Sequence, residues 1–179
     1  MTVIIADHLP SYALSEHIQR LLVRNAPESS HNLHISPYFL LGWTMVLGGS
    51  LLRRYCYRIL DTKFTFELSI RKDHHLVTHG PYAYVRHPSY TGALLAGAGA
   101  LICMFSQGSW LRECSGLWPT DTSTGTAAIV GMTVAGTTVA GRVLGGRMQR
   151  EDAMLRARFG EEWDHWEKRV PWRLVPSLY

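Results

Sequence analysis

The chain has 179 residues, 46% of them hydrophobic and 18% charged, with a net charge of +4, a pI near 9.1 and a mean hydropathy of -0.03. That length accommodates one domain or a small membrane bundle and leaves no room for two independent cores. The basic excess needs no nucleic acid to account for it, because the arginines and lysines gather beside apolar runs rather than forming a tract of their own.

In chain order, the opening "MTVIIADHLP" has no basic lead and too short an apolar core for a signal peptide, and reads equally well as the tail of a span. Residues 11–30 mix apolar and polar positions at helical spacing, which predicts an amphipathic or peripheral helix ending near Asn25 and Pro27. Residues 1–36 are therefore expected to form an N-terminal amphipathic or partial membrane segment, and 37–179 a membrane domain.

Three apolar runs follow. The stretch 37–52, "PYFLLGWTMVLGGSLL", closes on Arg53 and Arg54; no residue from Pro88 to Leu111 or from Thr122 to Gly141 carries a formal charge. The last two reach the roughly 20 residues a helix needs to cross about 30 Å of hydrocarbon. Small residues recur in all three, as in "GALLAGAGAL" and "GMTVAGTTVAG", a pattern that lets helix backbones approach closely in lipid. The expected fold is all-α, a multi-pass transmembrane helical bundle. The competing reading is a soluble helical protein with buried Gly/Ala-rich helices.

Basic residues cluster after the first run (Arg53, Arg54, Arg58, Arg71, Lys72), at Arg86, and after the last run (Arg142, Arg147, Arg150). Between the second and third runs Arg112 stands against Glu113 and Asp121. The positive-inside rule then places the loop 53–87 and the C-terminal tail together on the cytoplasmic side. Cys56, Cys103 and Cys114 form no CxxC pair and read as packing residues.

The loop "HHLVTHGPYAYVRHPSYTG", His74 to Gly92, ends at a proline suited to a first helical turn. Its His74, His75, His79 and His87 suggest a metal, but the spacing of zinc ligands is missing, so no metal site is expected. Ser89 and Thr91 lie near His87 without the GxSxG context of a nucleophile elbow. What remains are rings and hydrogen-bonding groups facing the next membrane-exit helix, a pairing able to enclose an amphipathic cofactor. Tyr82, Tyr84 and Tyr90 serve equally well as interface anchors.

That exit helix begins at "GGRMQREDAMLRARF", with Arg147 and Glu151 one turn apart and Met148, Leu155 and Phe159 near one apolar face. Arg147 and Glu151 also read as a plain solvated pair. Gly160 is expected to end it, and "EEWDHWEKRV" to form a second short helix before Pro171.

The two motifs in this order, "HHLVTHGPYAYVRHPSYTG" and "RMQREDAMLRARFGEEWDHWEKRVPWRLVP", closely resemble the isoprenylcysteine carboxyl methyltransferase family, over roughly residues 37–179. Phospholipid N-methyltransferases and some sterol reductases share looser versions of the second motif. The resemblance implies a membrane enzyme that uses S-adenosyl-L-methionine to esterify the C-terminal carboxylate of a prenylated cysteine. It further implies a multi-pass protein of the endoplasmic reticulum membrane, with prenylated proteins and membrane lipid as partners and the active site facing the cytosol. Carried over motif by motif, it assigns cofactor binding to His74, Leu76, Val77, Tyr82, His87, Pro88, Ser89, Tyr90 and Glu151, and to Glu67 by a weaker match. Arg147 stands where the family's substrate-contacting arginine does, which implies a substrate-binding and catalytic role.

Elementary chemistry is consistent with that assignment. A carboxylate nucleophile is already ionised at neutral pH, so methyl transfer to it needs no general base. It needs alignment, loss of water and a paired donor, for which an arginine fork is suited. The alternatives kept open are a phospholipid or other small-lipid methyltransferase of the same fold, and a truncated homologue without catalysis.

Overall fold

The computed structural model describes residues 32–60, 76–116 and 122–178, and among these it is helical throughout, with no strand. The elements are α1 (Pro37–Leu60), a 3-10 turn (Gly80–Ala83), α2 (Pro88–Phe105), the single turn α3 (Trp110–Glu113), α4 (Thr122–Phe159) and α5 (Glu161–Arg169). The expected helix at 11–30 and the positions Glu67 and His74 lie outside the described residues.

Local chemistry sets several boundaries. Ser36 precedes Pro37, and its hydroxyl accepts from the Phe39 N–H at 3.2 Å, so α1 starts with a capped first turn and a proline whose missing N–H costs nothing there. Pro88 opens α2 in the same way, as the sequence predicts. Ser109 caps α3 by accepting from the Arg112 N–H. Gly160 ends α4 with a φ of 52°, the left-handed region that a glycine enters without penalty. α5 carries Glu161, Glu162 and Asp164 in its first turn and Lys168 and Arg169 in its last, complementing the helix dipole at both ends.

Two helices run beyond their apolar stretches. The first apolar run closes at Arg53 and Arg54, but α1 continues through them for about two more turns to Leu60. Arginine is a good helix former, and its long stem lets the head group reach a polar partner from an apolar helix, so charge alone ends nothing. The third run and the charged segment after it are one helix of 38 residues. No proline interrupts 122–159, and Gly141, Gly145 and Gly146 remain helical.

The chain divides into two compact units. One holds the described residues up to Val46 and from Gly97 to Val134; the other holds those from Leu47 to Ala96 and from Ala135 onward. Within the first, α1 and α2 touch backbone to backbone: a Cβ on Gly42 would lie 2.6 Å from the Gly99 carbonyl oxygen, and one on Gly99 2.5 Å from that of Gly42. Within the second, the same helices meet at Gly49 and Gly92, whose added Cβ atoms would fall 2.5 and 2.7 Å from each other's carbonyl oxygens. The small-residue packing read from the sequence is thus realised between α1 and α2. It is not realised in α4, where a Cβ on Gly131, Gly136 or Gly141 meets open space.

Large apolar side chains face outward on the long helices: Tyr38, Leu40, Leu41 and Trp43 in one part of α1, and Leu47, Leu51 and Tyr55 in the other. Among the described residues, the stretch Pro88–Glu113 is long and apolar enough to cross a membrane. The apolar core of the second unit is small: Leu76, Trp163, Trp166 and Val170, with Tyr82, Leu155 and Phe159 packed against it. Met148, only 2% exposed, together with Leu155 and Phe159, turns the predicted apolar face of α4 inward.

Candidate active site

All the described site residues belong to the second unit. The first turn of α2 brings Tyr90 against α4, where its hydroxyl donates to Glu151 Oε2 at 3.0 Å. His87, just before that turn, is buried, with Nδ1 3.8 Å from the same Glu151 oxygen and its ring 5.6 Å from the Tyr90 ring. Arg147, one turn before Glu151, is exposed and hydrogen-bonds Tyr90. The motif histidine and tyrosine thus meet the basic and acidic residues of α4.

Tyr82 lies on the 3-10 turn, half-buried between α5 and α1. The Trp166 indole N–H donates to the Tyr82 carbonyl at 3.2 Å, and the phenol hydrogen-bonds Cys56. Burial pushes the Tyr82 hydroxyl well above its usual range, and the nearby Cys56 and Glu151 push in the same direction. Leu76 belongs to the apolar core with the two tryptophans, against which Tyr82 packs, and Val77, next in the chain, is also buried. Pro88 is fully buried and starts α2. Ser89 contributes a carbonyl, which accepts from Arg53 Nη1 at 3.0 Å, while Arg53 Nη2 donates to the Tyr57 hydroxyl. An open hollow of about 750 Å³ beside this contact is lined by Ser50, Arg53, Arg54, Tyr57 and Arg58, a setting that favours an anionic group.

A second layer, unforeseen from the sequence, holds the loop in place. Asp152 follows Glu151 and is buried, its Oδ1 2.9 Å from His87 Nε2 and its Oδ2 3.3 Å from both Arg86 Nη1 and Arg173 Nε. Arg86, also buried, donates from Nη1 to Glu167 Oε1 at 2.6 Å and from Nη2 to the Pro171 carbonyl at 3.1 Å. The backbone follows suit: the Arg86 and His87 N–H groups donate to the Trp172 and Arg173 carbonyls, each at 2.8 Å, and Thr91 Oγ1 donates to the Leu174 carbonyl at 2.6 Å. Residues 171–174 thus form a strap over the loop 86–91. The segment "RVPWRLVP" closes the second motif, but the motif alone assigns its backbone no part in holding the loop.

Taken together, these residues define a helical protein with a polar cradle at the start of an apolar helix. The kinship read from the two motifs is borne out. Residues 41–111 match the model of the isoprenylcysteine carboxyl methyltransferase (ICMT) family. The chain is 28% identical over 162 residues to a probable protein-S-isoprenylcysteine O-methyltransferase of Oryza sativa subsp. indica, covering 89% of this chain and 70% of that protein. It is 31% identical over 100 residues to the protein-S-isoprenylcysteine O-methyltransferase of Schizosaccharomyces pombe, covering 56% of this chain and 33% of the relative. A shorter match, 52% identical over 33 residues, joins 18% of the chain to 8% of a Delta(14)-sterol reductase of Methylotuvimicrobium alcaliphilum. The chain is therefore similar to the isoprenylcysteine carboxyl methyltransferases along most of its length.

Proposed function

We propose that this protein is a protein-S-isoprenylcysteine carboxyl O-methyltransferase that uses S-adenosyl-L-methionine and acts at the cytosolic face of the endoplasmic reticulum membrane. The observation that carries the reading is the meeting of His87 and Tyr90, from the "HPSY" turn, with Glu151 and Arg147 of α4. Similarity to proteins bearing that name supports it.

The residues suit the cofactor's chemistry. Its ammonium and ribose hydroxyls are donors, and Glu151 offers a carboxylate whose second oxygen is not used by Tyr90. Its apolar and aromatic portion finds counterparts in Tyr82 and Tyr90, with Leu76 and Val77 behind them. His74 and Glu67 complete the proposed cofactor set from outside the described residues. When bound, S-adenosyl-L-methionine supplies an electrophilic methyl group.

The chain's own residues then have limited tasks. Arg147 pairs with the acceptor carboxylate as water is removed from it, and holds it in line. Tyr90, hydrogen-bonded to both Arg147 and Glu151, keeps the two side chains apart and oriented. The basic hollow at Arg53, Arg54 and Arg58 attracts the acidic end of the acceptor. The outward apolar faces of α1 and α2 support a multi-pass chain in contact with lipid and with the prenyl group. No nucleic acid enters this scheme.

The deciding experiment incubates membranes holding the protein with S-adenosyl-L-methionine labelled at the methyl group and N-acetyl-S-farnesylcysteine. The expected product is a base-labile methyl ester. Label transferred to phosphatidylethanolamine instead would replace this reading with a phospholipid methyltransferase, and no transfer to any acceptor would leave a non-catalytic homologue.

A further inference from the structure

The proposed cofactor set leaves Asp152 without a part, yet among the described residues it is a well-connected buried acid. It is 9% exposed, and its two oxygens meet three side chains from two distant segments: His87 Nε2 at 2.9 Å, Arg86 Nη1 at 3.3 Å and Arg173 Nε at 3.3 Å. A carboxylate accepts hydrogen bonds and donates none, so the His87 proton facing it sits on Nε2. The opposite nitrogen, Nδ1, is thereby turned toward Glu151, 3.8 Å from its Oε2. Tyr90 spends its hydroxyl hydrogen on Glu151, so it does not occupy Nδ1.

We propose that Asp152 is a positioning residue that fixes the tautomer and orientation of His87, so that His87 Nδ1 and the Glu151 carboxylate present a pair of acceptors to one donor-bearing group, an ammonium or a vicinal hydroxyl pair. Arg86 and Arg173 hold Asp152 itself, which links this setting to the strap 171–174. The role deepens the reading above and rests on it only in taking His87 to face the bound cofactor. A ring held from one side by a buried carboxylate loses its freedom to flip, which is the usual function of the acid behind a working histidine.

Asp152→Asn tests it in the full chain, in detergent micelles. The two arginines draw the new amide's oxygen, which turns its NH2 toward Nε2 and imposes the opposite tautomer. Two measurements read the result. With 15N-labelled histidine, the wild-type His87 signals, assigned against a His87→Gln spectrum, should report protonation at Nε2, and Asp152→Asn should abolish that preference. In calorimetric titrations with S-adenosyl-L-methionine, Asp152→Asn should weaken binding on the order of tenfold alone but less than about twofold in a His87→Ala background.

A proton on Nδ1 in the wild-type protein, or the same loss of affinity with and without His87, would overturn the proposal; a merely structural role gives the second result. The wild-type spectrum can overturn the proposal even where Asp152→Asn does not fold. Should the wild-type protein bind no S-adenosyl-L-methionine, the proposed function falls while the tautomer still tests this inference.

Discussion

Tyr82 is a residue at which pH should be felt. Its hydroxyl is raised by burial, and by Cys56 and Glu151, above the usual phenol value of about 10. Below that pH the phenol is protonated whether the chain is folded or not, so it adds no pH dependence. Above it the unfolded chain releases the proton while the folded chain keeps it, so stability falls as pH rises. Thermal melts from pH 7 to pH 11 should show this alkaline loss in the wild type and a shallower one in Tyr82→Phe. At neutral pH the same variant should cost about 1 kcal/mol for the hydrogen bond to Cys56. Arg147→Lys keeps the charge and loses the fork; turnover should fall on the order of 100-fold while affinity for S-adenosyl-L-methionine changes less than about threefold. Unchanged turnover in the methyl-transfer assay would remove Arg147 from the mechanism. The meeting of His87, Tyr90, Glu151 and Arg147 was legible because both motifs were recognisable as strings. Asp152 was not, because nothing in "REDAM" says which of two adjacent acids turns inward; that depends on Arg86 and Arg173, remote in sequence. Leu76 and Val77 came with the motif as cofactor contacts, and their burial gives them a supporting place in the core.

At the scale of elements, the glycines separate into two kinds that look identical in the sequence. Those at 49 and 92 stand where α1 and α2 touch, and a side chain at either would strike the opposite backbone. Gly92→Val should therefore cost about 1–3 kcal/mol or more through overpacking, read as a lower melting temperature in micelles. Gly136→Ala, on the open side of α4, should be neutral or stabilise by up to about 1 kcal/mol through helix propensity. A smaller effect at Gly92 than at Gly136 would mean that the two helices do not approach as described. The start of α2 was readable from Pro88 and the end of α4 from Gly160, since proline and glycine geometry are local. The end of α1 was not: arginine reports charge, and α1 continues past Arg53 because that side chain finds the Ser89 carbonyl and the Tyr57 hydroxyl.

For the molecule as a whole, the strap makes the second unit depend on its last described residues. The carbonyls of Pro171, Trp172, Arg173 and Leu174 all accept from the loop 86–91. A variant ending at Val170 loses these bonds together with the Arg173 side chain, and leaves Arg86 and Asp152 with fewer partners in a buried setting. Breaking such a network costs several kcal/mol, on the order of 3–5. The truncated chain should retain its long helices by circular dichroism but lose methyl transfer and cofactor binding. Retention of both would show that the strap is dispensable.

The strap also dictates an order of assembly. The contacts that build the cradle join residues 61, 65 and 85 positions apart, as in Tyr90 to Glu151, His87 to Asp152 and Arg86 to Pro171. Helices α2 and α4 need only local bonds and form early, whereas the cradle must wait for loop closures whose entropy is repaid only when the last segment docks. The cradle is therefore expected to be the last part to form and the first to come apart as denaturant rises, at concentrations that leave the helical signal intact, which circular dichroism read beside the Tyr and Trp fluorescence would check.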